Sequence, residues 1–196
     1  MSETPDNETR ARILDAAEHL FHTRGYDAVK LREIAAAVGI HHASLYYYVP
    51  KGKVQLYIEV MERSIARHEQ GLKQSIAGAQ SDIRAQMRAA AQWLALQPPM
   101  DIARMAESDM RALEAAEAMR LMQSAYDALR MPLVTALAVA QEAGTIQERD
   151  LDTAAMALVS LVQSVHGIPG LKSERARVRL AEKLVDMLLD GLLTRG

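Results

Sequence analysis

The chain has 196 residues, a length that fits one large domain or two small ones. Hydrophobic residues make up 49% and charged residues 24%, which excludes the intrinsically disordered and fibrous classes of protein. Cysteine is absent, so disulfides, thiol nucleophiles and cysteine-based metal sites are excluded. Because no run of about 18 apolar residues occurs, we expect a cytoplasmic protein that does not associate with a membrane.

Charge is unevenly distributed along the chain. The formal net charge is −2, yet the segment from Arg24 to Lys53 carries five basic residues and only two acidic ones. This gives the segment a charge of +3 and leaves −5 for the rest of the chain. A basic N-terminal region next to an acidic body is compatible with a nucleic-acid partner, although charge alone does not establish one.

Apolar residues recur at helical spacing throughout, and glycine or proline ends most of the runs. No strand-like alternation accompanies them. We therefore predict an all-α fold of about nine helices, divided into a three-helix domain over 1–52 and a helical bundle over 53–196. The expected helices start near Thr9, Leu31, Ala43, Lys51, Ile83, Ile102, Met119, Ala155 and Ser173. Pro132 lies inside the longest helix and is expected to kink it.

The segment Leu31–Pro50 has the pattern of a helix-turn-helix motif. Gly39 stands at the turn, where a positive φ is needed, and Ala35 is small where the two helices cross. The core that the two helices must share is supplied by five apolar residues, Ile34, Val38, Ile40, Leu45 and Tyr48. An ordinary helical hairpin of a bundle is the alternative interpretation of this pattern.

The outer surface of this motif has the chemistry of a DNA-binding face. The second helix presents polar and aromatic side chains suited to base edges and phosphates in a major groove, and basic residues flank it. The predicted DNA-binding residues are Lys30, Arg32, His41, His42, Ala43, Ser44, Tyr46, Tyr47, Tyr48, Lys51 and Lys53.

The first quarter of the chain resembles the TetR family of transcriptional regulators. The resemblance is carried by Ile13-Leu14, Ala16-Ala17, Phe21, Gly25-Tyr26, Arg32–Ala35, Val38–Ile40, Leu45–Pro50, Lys53 and Leu56. It implies that Tyr46, Tyr47 and Lys53 contact phosphates and that residues 41–44 read bases. It also implies a ligand-responsive regulator, more often a repressor, that a small-molecule effector releases from a palindromic operator. Lys30 occupies a position where the family usually has a capping Ser or Thr.

The remaining helices are expected to bind the effector and to form a homodimer. The last two have apolar faces wider than one small core requires, which predicts an interface of four helices with a second copy. The residues expected at that interface are Leu158, Val162, Val165, Leu184, Val185, Leu188 and Leu192. Large or polar-tipped residues suited to an effector pocket are Met87, Trp93, Met119, Met122, Tyr126 and His166, although ordinary core packing also explains each of them.

Two other classes of function were weighed against this interpretation. Gly52-Lys53 matches the end of a phosphate-binding loop, but Tyr47 stands where that loop needs its first glycine, and we expect no enzyme activity. His19 and His22 are spaced for a metal, but a solvated helix face explains them better, and neither a metal nor a cofactor is expected. A helical adaptor module that never binds DNA remains the alternative.

Overall fold

We describe the protein from a computed structural model that covers residues 4–79, 82–147, 150–171 and 173–192. Within these ranges the chain forms nine α-helices and two short 3-10 turns and has no β-strand, which confirms the predicted all-α fold. The helices are α1 (Thr4–Ala28), α2 (Leu31–Val38), α3 (His42–Tyr48), α4 (Lys53–Gly78), α5 (Ile83–Leu96), α6 (Ile102–Glu107), α7 (Ala115–Glu142), α8 (Leu151–Ser164) and α9 (Glu174–Leu192). The 3-10 turns are Asp109–Ala112 and Val165–Gly167.

Helix α1 begins at Thr4, earlier than the predicted start at Thr9. A proline and two acidic residues follow Thr4, and both residue types favour the first turn of a helix. The helical geometry breaks at Gly25, whose φ is 76° and ψ is 166°, at the predicted stop. Arg10 donates from Nη2 to Glu59 Oε2 at 2.6 Å and so ties α1 to the first turns of α4.

Helices α2 and α3 form the predicted helix-turn-helix pair. Ile34, Val38 and Leu45 are buried and supply the core that the two helices share. Between the helices Gly39 has φ 78° and ψ 30°, the left-handed conformation that the turn requires. Hydrogen bonds from Gly39 N to Ala36 O at 3.1 Å and from Ile40 N to the carbonyl of residue 35 at 3.0 Å close the end of α2.

A carboxylate caps the start of α2. The backbone N–H of Lys30 donates to Glu33 Oε2 at 2.8 Å, so the Glu33 side chain supplies a hydrogen-bond acceptor for the N–H group just before the helix. Arg24 donates from Nη1 to the other oxygen of Glu33 at 2.7 Å. The hydrogen bond from Arg24, followed by that from Lys30, lowers the pKa of Glu33. Glu33 therefore caps α2 and also links it to the end of α1.

The described chain divides into two compact units. Unit 1 contains residues 1–64 and 102–123, and unit 2 contains residues 65–101 and 124–196. The predicted boundary at 52/53 lies inside unit 1, because unit 1 also takes the start of α4, all of α6 and the start of α7. Hydrogen bonds join residues 102–112 to the end of α1: Arg104 Nη1 donates to the carbonyl oxygen of His22, and the Tyr26 N–H donates to Asp109 Oδ1. The sequence pattern does not reveal them.

Within unit 2, α5 packs on α8 and α9. Asp186 of α9 accepts two hydrogen bonds from Arg88 of α5, from Nε at 2.8 Å and from Nη2 at 2.7 Å. Arg84 Nη1 adds a third at 3.0 Å. The hydrogen bonds from Arg88, followed by that from Arg84, hold the pKa of Asp186 below its usual range. These contacts, together with the buried Met87, Leu94 and Val185, fix the α5–α9 pair.

Candidate nucleic-acid interface

Helix α3 has one buried anchor and is otherwise accessible. Leu45 is 0% exposed, whereas Tyr46 is 45% and Tyr47 is 75% exposed. Residues 41–44, which precede Leu45, are also exposed. Because α3 is only seven residues long, its polar and aromatic side chains share one short surface. The structure therefore brings together the residues that the sequence assigned to base contacts.

Ring packing orders the aromatic part of this surface. His42 and Tyr46, four residues apart on α3, have ring centroids 5.4 Å apart in a T-shaped arrangement. Tyr47 and the half-buried Tyr48 have centroids 5.2 Å apart with an interplanar angle of 89°. Edge-to-face pairs of this kind are favourable and restrict the rings that take part. The exposed Tyr47 thus has a defined neighbour that limits its positions.

Basic side chains lie on both sides of α3 along the chain. Lys30 precedes α2, Arg32 is in the first turn of α2 and Lys51 is in the turn before α4, and all three are exposed. The backbone N–H of Lys51 donates to Gln55 Oε1 at 2.9 Å, which caps the start of α4. Exposed cations attract a phosphate backbone regardless of base sequence and set the register of the protein on it.

Lys53 differs from the other cations because it is partly buried and already has contacts. Its Nζ lies 4.0 Å from the centroid of the Tyr26 ring and 3.5 Å from the carbonyl oxygen of Asp27. Partial burial lowers the pKa of Lys53, although the charges of Asp27 and Glu33 oppose that shift. We use the name basic-aromatic face for the surface made by Lys30, Arg32, residues 41–44, residues 46–48, Lys51 and Lys53.

The residues predicted to bind an effector are divided between the two units. Unit 2 contains Met87, Trp93, Tyr126 and His166. Unit 1 contains Met119 and Met122. Met87 is fully buried, Met119 is 73% exposed and the other four are half-buried. Their role in effector binding stays a prediction.

His166 follows α8 and contacts the end of α5. Its Nε2 lies 3.3 Å from the carbonyl oxygen of Leu94, so this nitrogen carries the proton that the carbonyl accepts. Burial lowers the pKa of His166, the hydrogen bond to Leu94 opposes that shift, and the charge of Arg177 adds to it. Arg177 is held nearby, with Nε donating to Ala95 O at 3.3 Å. The neutral imidazole is therefore the favoured form.

This environment predicts a pH dependence of stability. A folded-state pKa below the unfolded one means that the unfolded chain binds more protons, so stability falls as pH is lowered through that interval. We expect the free energy of unfolding to fall less between about pH 7 and pH 5 in His166→Gln than in the wild type. Urea unfolding of both proteins at several pH values measures this difference in the free energy of unfolding. Identical pH profiles for the two proteins would contradict the assignment.

The residues predicted for a dimer interface are partly buried within one copy of the chain. Leu158, Val162, Val165 and Val185 are 0–1% exposed. Leu184 and Leu188 are half-buried, and the side chain of Leu192 lies outside the described part of the structure. The four buried residues lie where α5, α8 and α9 pack on one another. On α9, Met187 is 73% exposed and lies next to the half-buried Leu184 and Leu188 on the helix surface.

Two residues near the basic-aromatic face did not stand out as functional candidates in the sequence. Tyr26 carries Lys53 on its ring, and the buried Asp109 accepts the backbone N–H of Tyr26 at 2.9 Å. In the sequence, Tyr26 is notable only as one of the residues that carry the family resemblance. Asp109 is 83 positions away from it. No local pattern signals a contact over that separation.

The described residues include no group of three or more His, Asp or Glu side chains placed to hold a metal ion. In those same parts of the chain, we find no helix with the length and apolar character needed to span a membrane.

Comparison with known families identifies the N-terminal helices. Residues 13–60 match the family model described as bacterial regulatory proteins, tetR family. This range contains α2, α3 and the whole basic-aromatic face, including Lys53. The N-terminal part of the chain, residues 13–60, is therefore similar to the TetR family of bacterial regulatory proteins. The predicted resemblance is thereby confirmed.

Individual relatives agree with this assignment. The chain is 34% identical over 86 residues to the HTH-type transcriptional activator FasR of Mycolicibacterium smegmatis, a match over 44% of this chain and 38% of FasR. It is 43% identical over 54 residues to the HTH-type transcriptional regulator LmrA of Bacillus subtilis, over 28% of this chain and 29% of LmrA. The matches thus span well under half the length of these curated relatives.

The fold as a whole has relatives among solved structures. A transcriptional regulator from Saccharomonospora viridis, solved in complex with choline, superposes with a TM-score of 0.74 at 20% identity. The superposition covers 96% of this chain and all of that one. The chain therefore shares the fold of that structure, although the two sequences have diverged.

Proposed function

We propose that this protein is a DNA-binding transcriptional regulator that responds to a small molecule. The observation that carries the proposal is the basic-aromatic face, where the seven residues of α3 expose polar and aromatic side chains around the single anchor Leu45. The surface has donors and acceptors for base edges and cations for phosphates, which are the two kinds of contact that site-specific binding requires. Exposed Lys30, Arg32 and Lys51 support the second kind.

Selection of duplexes from a random pool tests DNA recognition directly. We expect enrichment of one site with two-fold symmetry and half-sites about one helical turn apart, because a symmetric dimer presents two copies of α3. Enrichment of a site without symmetry would remove the palindromic operator from the proposal. Failure to bind any duplex at low salt would favour the alternative of a helical adaptor module.

The proposed assembly is a homodimer built on α8 and α9. Leu184, Met187 and Leu188 leave apolar surface on α9 that a second copy would cover. Met187→Asp places a charge in that surface and should shift the protein toward the monomer in analytical ultracentrifugation. Val139→Asp, on a side chain of α7 that is 63% exposed, is the matched control and should leave the mass unchanged.

The effector is proposed to bind in the body of the protein and to weaken operator binding by linkage. The S. viridis relative carries choline, and the predicted residues of unit 2 include the sole tryptophan, Trp93, and Tyr126. Aromatic faces bind quaternary ammonium groups, and adaptable methionine suits apolar chains. Choline and decanoate are therefore the two probes, with Trp93 fluorescence as the signal for binding.

A bound effector should lower operator affinity by about 1–3 kcal/mol, the usual range of allosteric coupling. Fluorescence titration of Trp93 finds the effector, and operator binding is then measured with and without it. A compound that binds the body and leaves operator affinity unchanged would contradict release by the effector.

Replacement of Lys53 tests its predicted phosphate contact. Lys53→Ala should weaken binding to every duplex by a similar factor and should lower the slope of log K against log salt by about 1. Lys51→Ala is the comparison within the same turn, because Lys51 is exposed and has no ring beneath it among the described ring contacts. A changed base preference with an unchanged salt slope would contradict a phosphate role for Lys53.

A further inference from the structure

We infer that the segment Ile102–Ala112 positions Lys53 for its phosphate contact, acting through Asp109 and Tyr26. The inference rests on the proposed DNA-binding function and adds two positioning residues to it. Neither residue belongs to the basic-aromatic face, because Asp109 is 4% and Tyr26 is 7% exposed. Both act from beneath that face, and all the residues involved lie in unit 1.

Asp109 is a buried carboxylate whose contacts converge on the end of α1. Its Oδ1 accepts the backbone N–H of Tyr26 at 2.9 Å and lies 3.5 Å from Ser108 Oγ. Its Oδ2 lies 3.5 Å from Nε of Arg104. Arg104 in turn donates from Nη1 to the carbonyl oxygen of His22 at 2.7 Å. A buried carboxylate persists only where such partners compensate its desolvation, so these contacts are mutually dependent.

The contacts fall on either side of the break in α1. Gly25, with φ 76°, separates the regular helix that contains His22 from the turn that contains Tyr26. A continuous helix would fix Tyr26 through its own hydrogen bonds, but the break removes that constraint. Arg104 holds the chain before the break and Asp109 holds it after. The segment Ile102–Ala112 therefore determines where Tyr26 lies.

The position of Tyr26 in turn restricts that of the Lys53 side chain. Its ring lies 4.0 Å from Lys53 Nζ, a cation–π distance, and packs edge-on against Tyr57 with centroids 5.0 Å apart. Phe21 stacks on Tyr26 at 6.0 Å, so the ring cannot move without disturbing the cluster. A lysine side chain has many rotamers, and a partner that holds it before DNA arrives reduces the entropy lost on binding. Tyr26 thus prepares the ammonium group of Lys53.

A double-mutant cycle on a selected duplex tests this chain of contacts. Tyr26→Leu should weaken binding about 3- to 10-fold in the wild-type background, the loss expected for an ordered cation–π contact. The same substitution should change binding less than about 2-fold in a Lys53→Ala background, because its effect runs through Lys53. Equal losses in both backgrounds would overturn the inference.

Matched variants separate positioning from loss of packing. Tyr26→Phe keeps the ring and should bind within about 2-fold of the wild type. Asp109→Asn keeps an oxygen that accepts the Tyr26 N–H but loses the contact with Arg104, so its affinity should lie between those of the wild type and Asp109→Ala. Asp109→Ala removes that acceptor. Like Tyr26→Leu, it should weaken DNA binding in the wild-type background and have little effect in the Lys53→Ala background. An Asp109→Ala protein that folds and binds as the wild type would overturn the part assigned to Ile102–Ala112.

A measurement on the DNA-free protein keeps the two proposals distinct. The ring current of Tyr26 should move the side-chain methylene protons of Lys53 upfield in NMR spectra. The shift should persist in Tyr26→Phe, disappear in Tyr26→Leu and diminish in Asp109→Ala, while thermal unfolding checks that each variant is folded. A random-coil shift for Lys53 in the wild type overturns the inference even if the protein binds DNA. Failure of the wild type to bind any duplex would instead remove the proposed function.

Discussion

Replacement of Leu45 by Ala should lower the free energy of unfolding of unit 1 by about 2–5 kcal/mol, the range for a large-to-small change at a fully buried position. Leu45 is 0% exposed and is the one buried residue of α3, all seven of whose residues the structure describes. Because an isolated helix of that length is unstable in water, α3 depends on packing against its neighbours, and Leu45 is its buried contact. Urea unfolding followed by circular dichroism measures the loss.

Tyr47→Ala is the control for Leu45→Ala within the same helix. Tyr47 is 75% exposed, so its removal should change the free energy of unfolding by less than about 0.5 kcal/mol. It should nevertheless weaken operator binding, since the side chain lies on the basic-aromatic face. Leu45→Ala thus affects the fold, and Tyr47→Ala affects binding alone. Operator affinity that is unchanged in Tyr47→Ala would contradict the assignment of the exposed side of α3 as the DNA-binding surface.

The sequence predicted well those features that depend on neighbouring residues. Gly39 ends α2 because only a residue tolerant of φ near +78° fits the turn. Asp150 caps α8 in the same local way, because its side chain accepts the Thr153 N–H at 3.0 Å. The exposed and buried positions of α3 follow from the same short-range pattern, so the basic-aromatic face was predictable from residues 30 to 53.

Features set by distant residues were not predictable in this way. The helix predicted to start at Ile102 divides at Ser108. The buried Asp109 then contacts Tyr26, which lies 83 positions earlier in the sequence. Lys53 was predicted as a phosphate ligand, but its place on the Tyr26 ring depends on the break at Gly25 and on Asp109. A local pattern gives the face of a helix that is apolar and does not say which partner covers it.

The last two helices show the same limit. A wide apolar stripe on α9 predicts two neighbours but does not separate the side that α5 covers from the side that stays exposed in one copy of the chain. The structure assigns Val185 and Leu189 to the chain's own core and leaves Met187 exposed. Only the tertiary packing of α5, α8 and α9 makes that distinction.

Gly71→Ala should destabilise unit 2 by about 1–3 kcal/mol, although alanine normally favours a helix interior over glycine. A Cβ atom on Gly71 of α4 would lie 2.0 Å from Cζ2 of Trp93, far inside any van der Waals contact. The indole has little freedom to retreat, because it packs edge-on against the buried His68 with ring centroids 5.3 Å apart. Thermal unfolding gives the stability, and Trp93 fluorescence reports the displacement of the ring.

Two matched variants determine whether steric conflict is the cause. Gly78→Ala, at the end of the same helix, places its Cβ in open space and should be neutral or stabilise the protein by up to about 1 kcal/mol. In a Trp93→Leu background the clash is absent, so Gly71→Ala should recover the helix-propensity gain and its effect should change sign. A loss of the same size in both backgrounds would show that Gly71 serves α4 itself and not the close approach of Trp93.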